Sequence, residues 1–477
     1  MTHSLPRPGV REDFDPNVYV MSVTPIVKCE NTRAPGSAAY PGDPRTGYGS
    51  PMEPLRSLMG ALLLLGLACT EGGKQPGGQG GGTGDGVATG GTNNTGGVST
   101  GGTTTGGQPM FNDAGLGGIG GTVITATGGT AGTPVDPYVY VSGYDAAITV
   151  LRLNLATGAL ASVATVPSTV GSPTYLAVSP DKKYLYAINE QDGPNSKVVA
   201  FTINATNGGL SKINEAPAGG DGSPHLSVHP GGKLVLVAHY LSGHVATVKV
   251  NNTGGVVSPP ADVKRPANDK SHHITTDRSG QYVFVCNVSA NTVFQYKVDA
   301  AGLLTANGQA DGFPGGAGPR HMAFHPALNV AYTINETAKT VSSLALDPAT
   351  GKLSNPKTQS GLPPNTTFNG GSGAHILVSP DGTLVFASIR GHNSITSYTV
   401  NPADGTLTYA SNQTAGGTIK TPRDFGIDPT GKYLIVANQD SGNVIVLQVG
   451  ADGSMTVKGQ PTAVAKSPAF VGIVALP

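Results

Sequence analysis

The sequence predicts an all-β fold: a seven-bladed β-propeller of four-stranded antiparallel blades. Three observations carry the prediction. A turn between two apolar runs recurs at Ser179, His229, Asp277, His325, Ser379 and Asp428, at intervals of 50, 48, 48, 54 and 49 residues. The runs alternate with period two and show no helical periodicity, and a period near 50 with several short strands per unit is the mark of a propeller. Finally, the first copy lacks its opening strand while an unmatched strand stands at the other end.

Taken in order, residues 1–51 carry many Pro and Gly without sustained periodicity and read as an unstructured extension. Residues 52–69, MEPLRSLMGALLLLGLAC, offer a positive start at Arg56, an apolar core from Leu58 to Leu67 and the small Ala68 before Cys69. This segment resembles a bacterial lipoprotein signal with Cys69 as the lipid-carrying residue, departing from it at Gly66, where that motif has Leu. Such signals open a chain, so translation is expected to begin at Met52, with the first 51 residues reflecting start-site choice. A short buried helix is the competing reading. Residues 70–133 are mainly Gly and Thr, with too little apolar surface to offset the entropy of ordering. A disordered tether is expected there, holding the domain at 134–477 off a membrane surface. The protein is expected to be exported, as a periplasmic or outer-membrane-tethered lipoprotein, touching the membrane only through its lipid.

Formal charge balances at 29 basic against 29 acidic residues, so nothing recommends nucleic acid as a partner. Three widely separated cysteines show no metal-ligand spacing, and GGIGGTV at 117–123 lacks the flanking strand and helix of a phosphate loop. No metal or cofactor is expected, and a monomer is. Cys286, inside YVFVC, reads as a core residue.

Within the repeat, Pro-Asp-Gly and Pro-Gly-Gly join the first and second strands as hairpin turns. A third strand (VVAFTIN, VATVKVN, TVFQYKV, SSLALD, ITSYTV, VIVLQV) and a weaker fourth complete six copies. The opening partial copy, PYVYVSG, AAITVLRLN and ALASVATVP, supplies second, third and fourth strands. PAFVGIVAL at 468–476 supplies the missing first, so pairing the two ends closes the ring and removes an exposed edge.

Strand order then places the chemistry. Residues just before the inner strands and residues just past the second strands meet at one rim of the central channel. Counting back four from each turn gives Tyr175, His225, His273, His321, His375 and Asp424. One residue earlier stand His272, Arg320 and Arg423, and past the second strands come Glu190, Tyr240, Glu336 and Arg390. A chain with 12% charged residues has gathered them where the blades converge. The plainer alternatives are a structural role for His225 and His375, bonding a neighbouring blade's backbone, and solvated charges for the arginines. His229 and His325 belong with their prolines to the far-face turns. They stand four residues from the rim histidines, about 13 Å along a strand, which rules out zinc pairs.

The runs GPRHMAFHPALNVAYTINE, SHHITTDRSG, LVFASIRGHNSI and TPRDFGIDPTGKYLIVANQDSGNV resemble the seven-bladed lactonase family, across roughly 136–477. That family includes propeller-type 6-phosphogluconolactonases and a fungal muconate lactonising enzyme. The resemblance implies a catalytic set of one histidine, two arginines and a glutamate, falling on His272 or His273, Arg320, Arg390 and Glu336. It implies a small lactone as substrate, anionic or sugar-derived. Lactone opening needs a base for water, donors for the oxyanion and an acid for the alkoxide. Glu336 is expected as base, Arg320 and Arg390 as oxyanion and anion donors, and His272 or His273 as proton donor. His225, His321, His375, Arg423 and Asp424 are expected to bind substrate. A non-catalytic propeller binding a carbohydrate, peptide or protein is the alternative, with a surface-assembly or redox-metal protein behind it.

Overall fold

The computed structural model describes residues 135–477 except 169–170, 191–195 and 268, together with the antiparallel strand pair Asp113–Ala114 and Gly118–Ile119. The expectations for residues 1–51, the start at Met52, the signal at 52–69 with Cys69, and most of the tether at 70–133 lie outside the described residues.

Seven four-stranded antiparallel sheets follow one another, each built from consecutive strands except the last. Blades 1 to 6 open with the inner strands Pro173–Val178, His225–Val228, Ser271–Thr276, Pro319–Phe324, Ser372–Val378 and Pro422–Ile427. Blade 7 takes its inner strand, Pro468–Val474, from beyond blade 6 and its other three from Tyr138–Gly143, Ala147–Leu153 and Leu160–Pro167. Val141 pairs with Val471 in this closing ladder. The strand deficit and surplus read in the sequence are thus one sheet.

Inner and second strands are buried on both faces, because each sheet packs between two neighbours. Their residues are accordingly apolar almost throughout, whereas outer strands such as Leu160–Pro167 alternate with solvent. Burying each such Val, Leu or Phe contributes roughly 1.5–3 kcal/mol. Tyrosines of second strands also grip the next blade. The Tyr186 hydroxyl donates to the Gly254 carbonyl at 3.1 Å, Tyr140 to Gly208 and Tyr332 to Gly405, both at 2.8 Å. Gly351 shows why glycine serves in these turns. Its φ is +66°, and a Cβ there would lie 2.2 Å from the Tyr282 ring.

The far-face turns are held by side chains that the repeat supplies. His229 Nε2 meets the Gly280 carbonyl at 2.8 Å and His325 Nε2 that of Gly382 at 3.0 Å, each reaching the next blade's turn. Asp277 and Asp428 instead accept the backbone N–H of Tyr282 and Tyr433. Both histidines therefore lie on the far face, as read from their prolines.

Candidate active site

One backbone device builds the site. At the start of the inner strands the ladder slips: in blade 4, Pro319 pairs with Asn335 and His321 with Ile334, leaving Arg320 extra. The same slip occurs at Pro173/Tyr175, Ser271/His273 and Pro422/Asp424. Two residues of a bulged strand oppose one on its partner, which re-aims a side chain that regular pleating would send away. Arg320 and His321, His272 and His273, and Arg423 and Asp424 thereby come to the channel as adjacent pairs. The sequence reading set these residues just before the strands; they are inside them, and the bulge is what lets both members serve one site.

The residues form two levels. Toward the mouth, Arg390 Nη2 donates to Glu336 Oε1 at 2.9 Å, and Arg320 Nε lies 3.4 Å from Glu336 Oε2. Arg320 also donates from Nη1 to the Ala374 carbonyl at 2.5 Å, which fixes its guanidinium against blade 5. Glu336 Oε2 and Arg320 Nε are buried and make no further hydrogen bond. On the opposite side, Glu190 Oε2 accepts from the Tyr144 hydroxyl at 2.6 Å and from Arg423 Nη2 at 3.3 Å. The Arg423 guanidinium lies 5.2 Å from the Tyr144 ring centre. A pocket between the two clusters is lined by Glu190, His272, Arg320 and Arg423, with Thr174 and Ala469.

Deeper, Tyr175, His225, His273, His321, His375, Asp424 and Phe470 occupy one position in seven successive blades, all essentially buried. His225 and His273 stack at 3.9 Å between ring centres, and Tyr175 lies 4.2 Å from His225. His321 Nδ1 and His375 Nδ1 share a hydrogen bond of 2.8 Å, and His375 Nδ1 is 3.4 Å from Asp424 Oδ2. His321, His375 and Asp424 are the described residues that could hold an ion, each offering one donor atom within 4.8 Å of the others. His225 Nδ1 accepts the Ile274 backbone N–H at 3.3 Å, the structural role weighed for it from the sequence.

Burial sets the protonation of this cluster. His225, His272, His321 and His375 are all held well below the usual histidine range, first by burial and then by nearby histidine and arginine charges. His273 is pushed down to about 3 by burial and Arg320. Burial lowers even Arg320, to about 9, with Arg390 adding to the effect and Glu336 opposing it. The Asp424 carboxyl is raised well above its ordinary value, again mainly by burial, although the Val471 N–H donates to it at 3.1 Å. Charged forms are penalised here because little water reaches them. Burial therefore favours the neutral imidazole throughout this cluster, and a proton given by His272 or His273, the donors expected from the sequence, would come from a neutral N–H. Cys286 is fully buried in its strand, and burial raises its thiol.

All five residues of the implied catalytic set sit in this channel, but at different depths. His272 lines the pocket beside Arg320, whereas His273 stacks beneath it between His225 and His321. His321 and Asp424 reach the pocket floor and Arg423 its wall, while His225 and His375 lie outside its lining. Sequence reasoning left two residues of the Glu190–Arg423–Tyr144 cluster without a role. Glu190 repeats the Ile-Asn-Glu of Glu336, at 188–190 against 334–336, a signal available in the sequence. Tyr144 was hidden because blade 7 is split between two ends of the domain.

A family model described as lactonase, 7-bladed beta-propeller, matches residues 138–473. A 6-phosphogluconolactonase of Bacillus subtilis is 31% identical over 287 residues, covering 58% of this chain and 80% of its own. Another, from Formosa agariphila, is 28% identical over 316 residues, covering 63% and 88% respectively. Among solved structures, the periplasmic gluconolactonase of Pseudomonas aeruginosa matches with a TM-score of 0.66 at 24% identity, over 72% of this chain and 100% of that one. At that identity the likeness is one of fold.

Proposed function

The chain belongs to the seven-bladed β-propeller lactonase family, and from that premise we propose that it hydrolyses a sugar-derived lactone in the pocket between Arg320 and Arg423. The observation that carries the reading is the cluster Arg320–Glu336–Arg390, two guanidinium groups on one carboxylate beside a neutral imidazole.

Glu336 serves as base. Its Oε1 is occupied by Arg390, whereas Oε2, buried 3.4 Å from Arg320 Nε, makes no hydrogen bond and keeps a lone pair for a water's O–H. As that proton passes to Glu336, the hydroxide adds to the lactone carbonyl and the carbonyl oxygen takes up negative charge. Arg320 and Arg390 stabilise it, with donors already oriented by Ala374 and Glu336. When the ring C–O bond breaks, the departing oxygen needs the proton Glu336 has taken. His272, neutral, has one N–H to give and one lone pair to receive, so it passes the proton without holding a net charge in a poorly solvated site. The new carboxylic acid releases its remaining proton to solvent, and the product carboxylate is left against the arginines. His273, the alternative relay, is separated from the pocket by its stacking.

Export supports a substrate met outside the cytoplasm: the signal-like segment at 52–69 and the Gly/Thr-rich stretch after it suit a tethered lipoprotein. The test is hydrolysis of a lactone panel by the whole chain beside Glu336→Gln. We expect turnover above the spontaneous rate and a fall of at least about a hundredfold in the variant. Wild-type rates equal to the spontaneous ones across the panel would remove the assignment.

A further inference from the structure

The second charged cluster, Glu190–Arg423–Tyr144, has no part in the chemistry above, yet its Glu190 and Arg423 line the same pocket as His272 and Arg320. We propose that Glu190 is a specificity-determining residue that selects neutral, hydroxyl-rich lactones and rejects phosphorylated ones. This rests on the lactonase reading and narrows its substrate class.

The charge count points this way. Arg320, Arg423 and Glu190 line the pocket, and Glu336 and Arg390 adjoin it through Arg320. Three guanidinium groups against two carboxylates leave one positive charge, with Asp424 favoured in its neutral form by burial. Opening a neutral lactone ends in one negative charge, the product carboxylate, once Glu336 is ionised again. The pocket's single excess charge matches that change. A phosphomonoester brings a further −1.5 to −2 or so, which the remaining arginine would have to balance.

That arginine is already engaged. Arg423 reaches the pocket wall with its guanidinium against Tyr144 and its Nη2 on Glu190. Glu190 is itself held by the Tyr144 hydroxyl at 2.6 Å, so its carboxylate does not readily swing aside for an arriving phosphate. A phosphate at Arg423 would meet the Glu190 carboxylate within the same contact distance, and like charges at that range repel. Sugar hydroxyls fit the same three groups well. A carboxylate accepts from an O–H, and a guanidinium and a phenol donate to its oxygen. The cluster is built from three blades: Glu190 follows the second strand of blade 1, Tyr144 follows that of blade 7, and Arg423 is the second residue of the inner strand of blade 6. Its position opposite Glu336 sets it where the part of the substrate away from the carbonyl would lie.

The test compares glucono-lactone with its 6-phosphate as substrates, and gluconate with 6-phosphogluconate as ligands by calorimetry, in the whole chain and in Glu190→Gln. The expected result is a kcat/KM at least tenfold higher for the unphosphorylated lactone. In Glu190→Gln the ratio should move at least tenfold toward the phosphorylated one, with product binding shifting the same way. Wild type preferring the phosphate, or a ratio unmoved in Glu190→Gln, overturns the proposal while leaving hydrolysis standing. Discriminating binding without turnover sinks the lactonase reading and keeps the charge filter. Neither turnover nor binding of either pair sinks both.

Discussion

Lowering the pH from 7 to 5.5 should destabilise this fold far more than its neutral composition suggests. Five histidines, 225, 272, 273, 321 and 375, are buried in the channel, and burial holds each below its ordinary pKa. In the unfolded chain they titrate near 6.5. As pH falls through that value the unfolded state binds protons that the folded state refuses, so stability is present above about 6.5 and lost below it. By pH 5.5 each histidine that stays neutral has removed about 1 kcal/mol or slightly more, and the five together about 6. Asp424 has the opposite sign. Its raised pKa lets the fold keep a proton that the unfolded chain releases above about pH 3.9, so the same acidification restores about 2 kcal/mol. The net loss is about 4 kcal/mol, a large share of the 5–15 or so that folds of this kind possess. Urea unfolding of the whole chain at pH 7, 6.5, 6 and 5.5 measures it. His375→Asn should flatten the pH slope by about three-tenths, whatever it does to stability at pH 7. A stability that stays within about 1 kcal/mol over this range would show that the channel histidines accept protons in the fold, and the dry-channel reasoning would fail.

Other outcomes follow from the same contacts. Arg390→Lys keeps the charge but loses the fork that serves Glu336 and the substrate together, and kcat/KM for the favoured lactone should fall about 10²–10³-fold. His272→Asn should lower kcat, while His273→Asn should act mainly on the urea midpoint, separating two neighbouring rings by function. Because His272 works from its neutral form, kcat/KM should show no histidine break between pH 6 and 7.5. Gly351→Ala should cost about 1–3 kcal/mol in thermal unfolding without touching KM, since its φ of +66° and the Tyr282 ring leave a Cβ no room.

The fold was legible because six of the seven blades repeat the same turn, and because the strand missing before Tyr138 reappears at Pro468. The rim was legible because register alone carries Arg320, Glu336 and Arg390 to one end of the channel. Partnership was not. Arg423 finds Glu190 across 233 residues, through the ring's closure, and no local pattern announces that distance. Nor could the sequence choose between His272 and His273, because a bulge, not alternation, decides how adjacent residues share a channel. The protonation of the imidazoles depends on how many blades bury them together, a property of the assembled ring.

The closing strand Pro468–Val474 has a consequence in time. A ribosome delivers it after every other blade strand, and until it arrives the wall lacks Ala469 and Phe470, and Asp424 lacks the Val471 N–H. The nascent chain therefore carries the arginines, the glutamate and the histidines but no finished vessel to hold a lactone. Activity begins only when synthesis has passed the last strand, and a chain still being made stays chemically silent until its ring can shut.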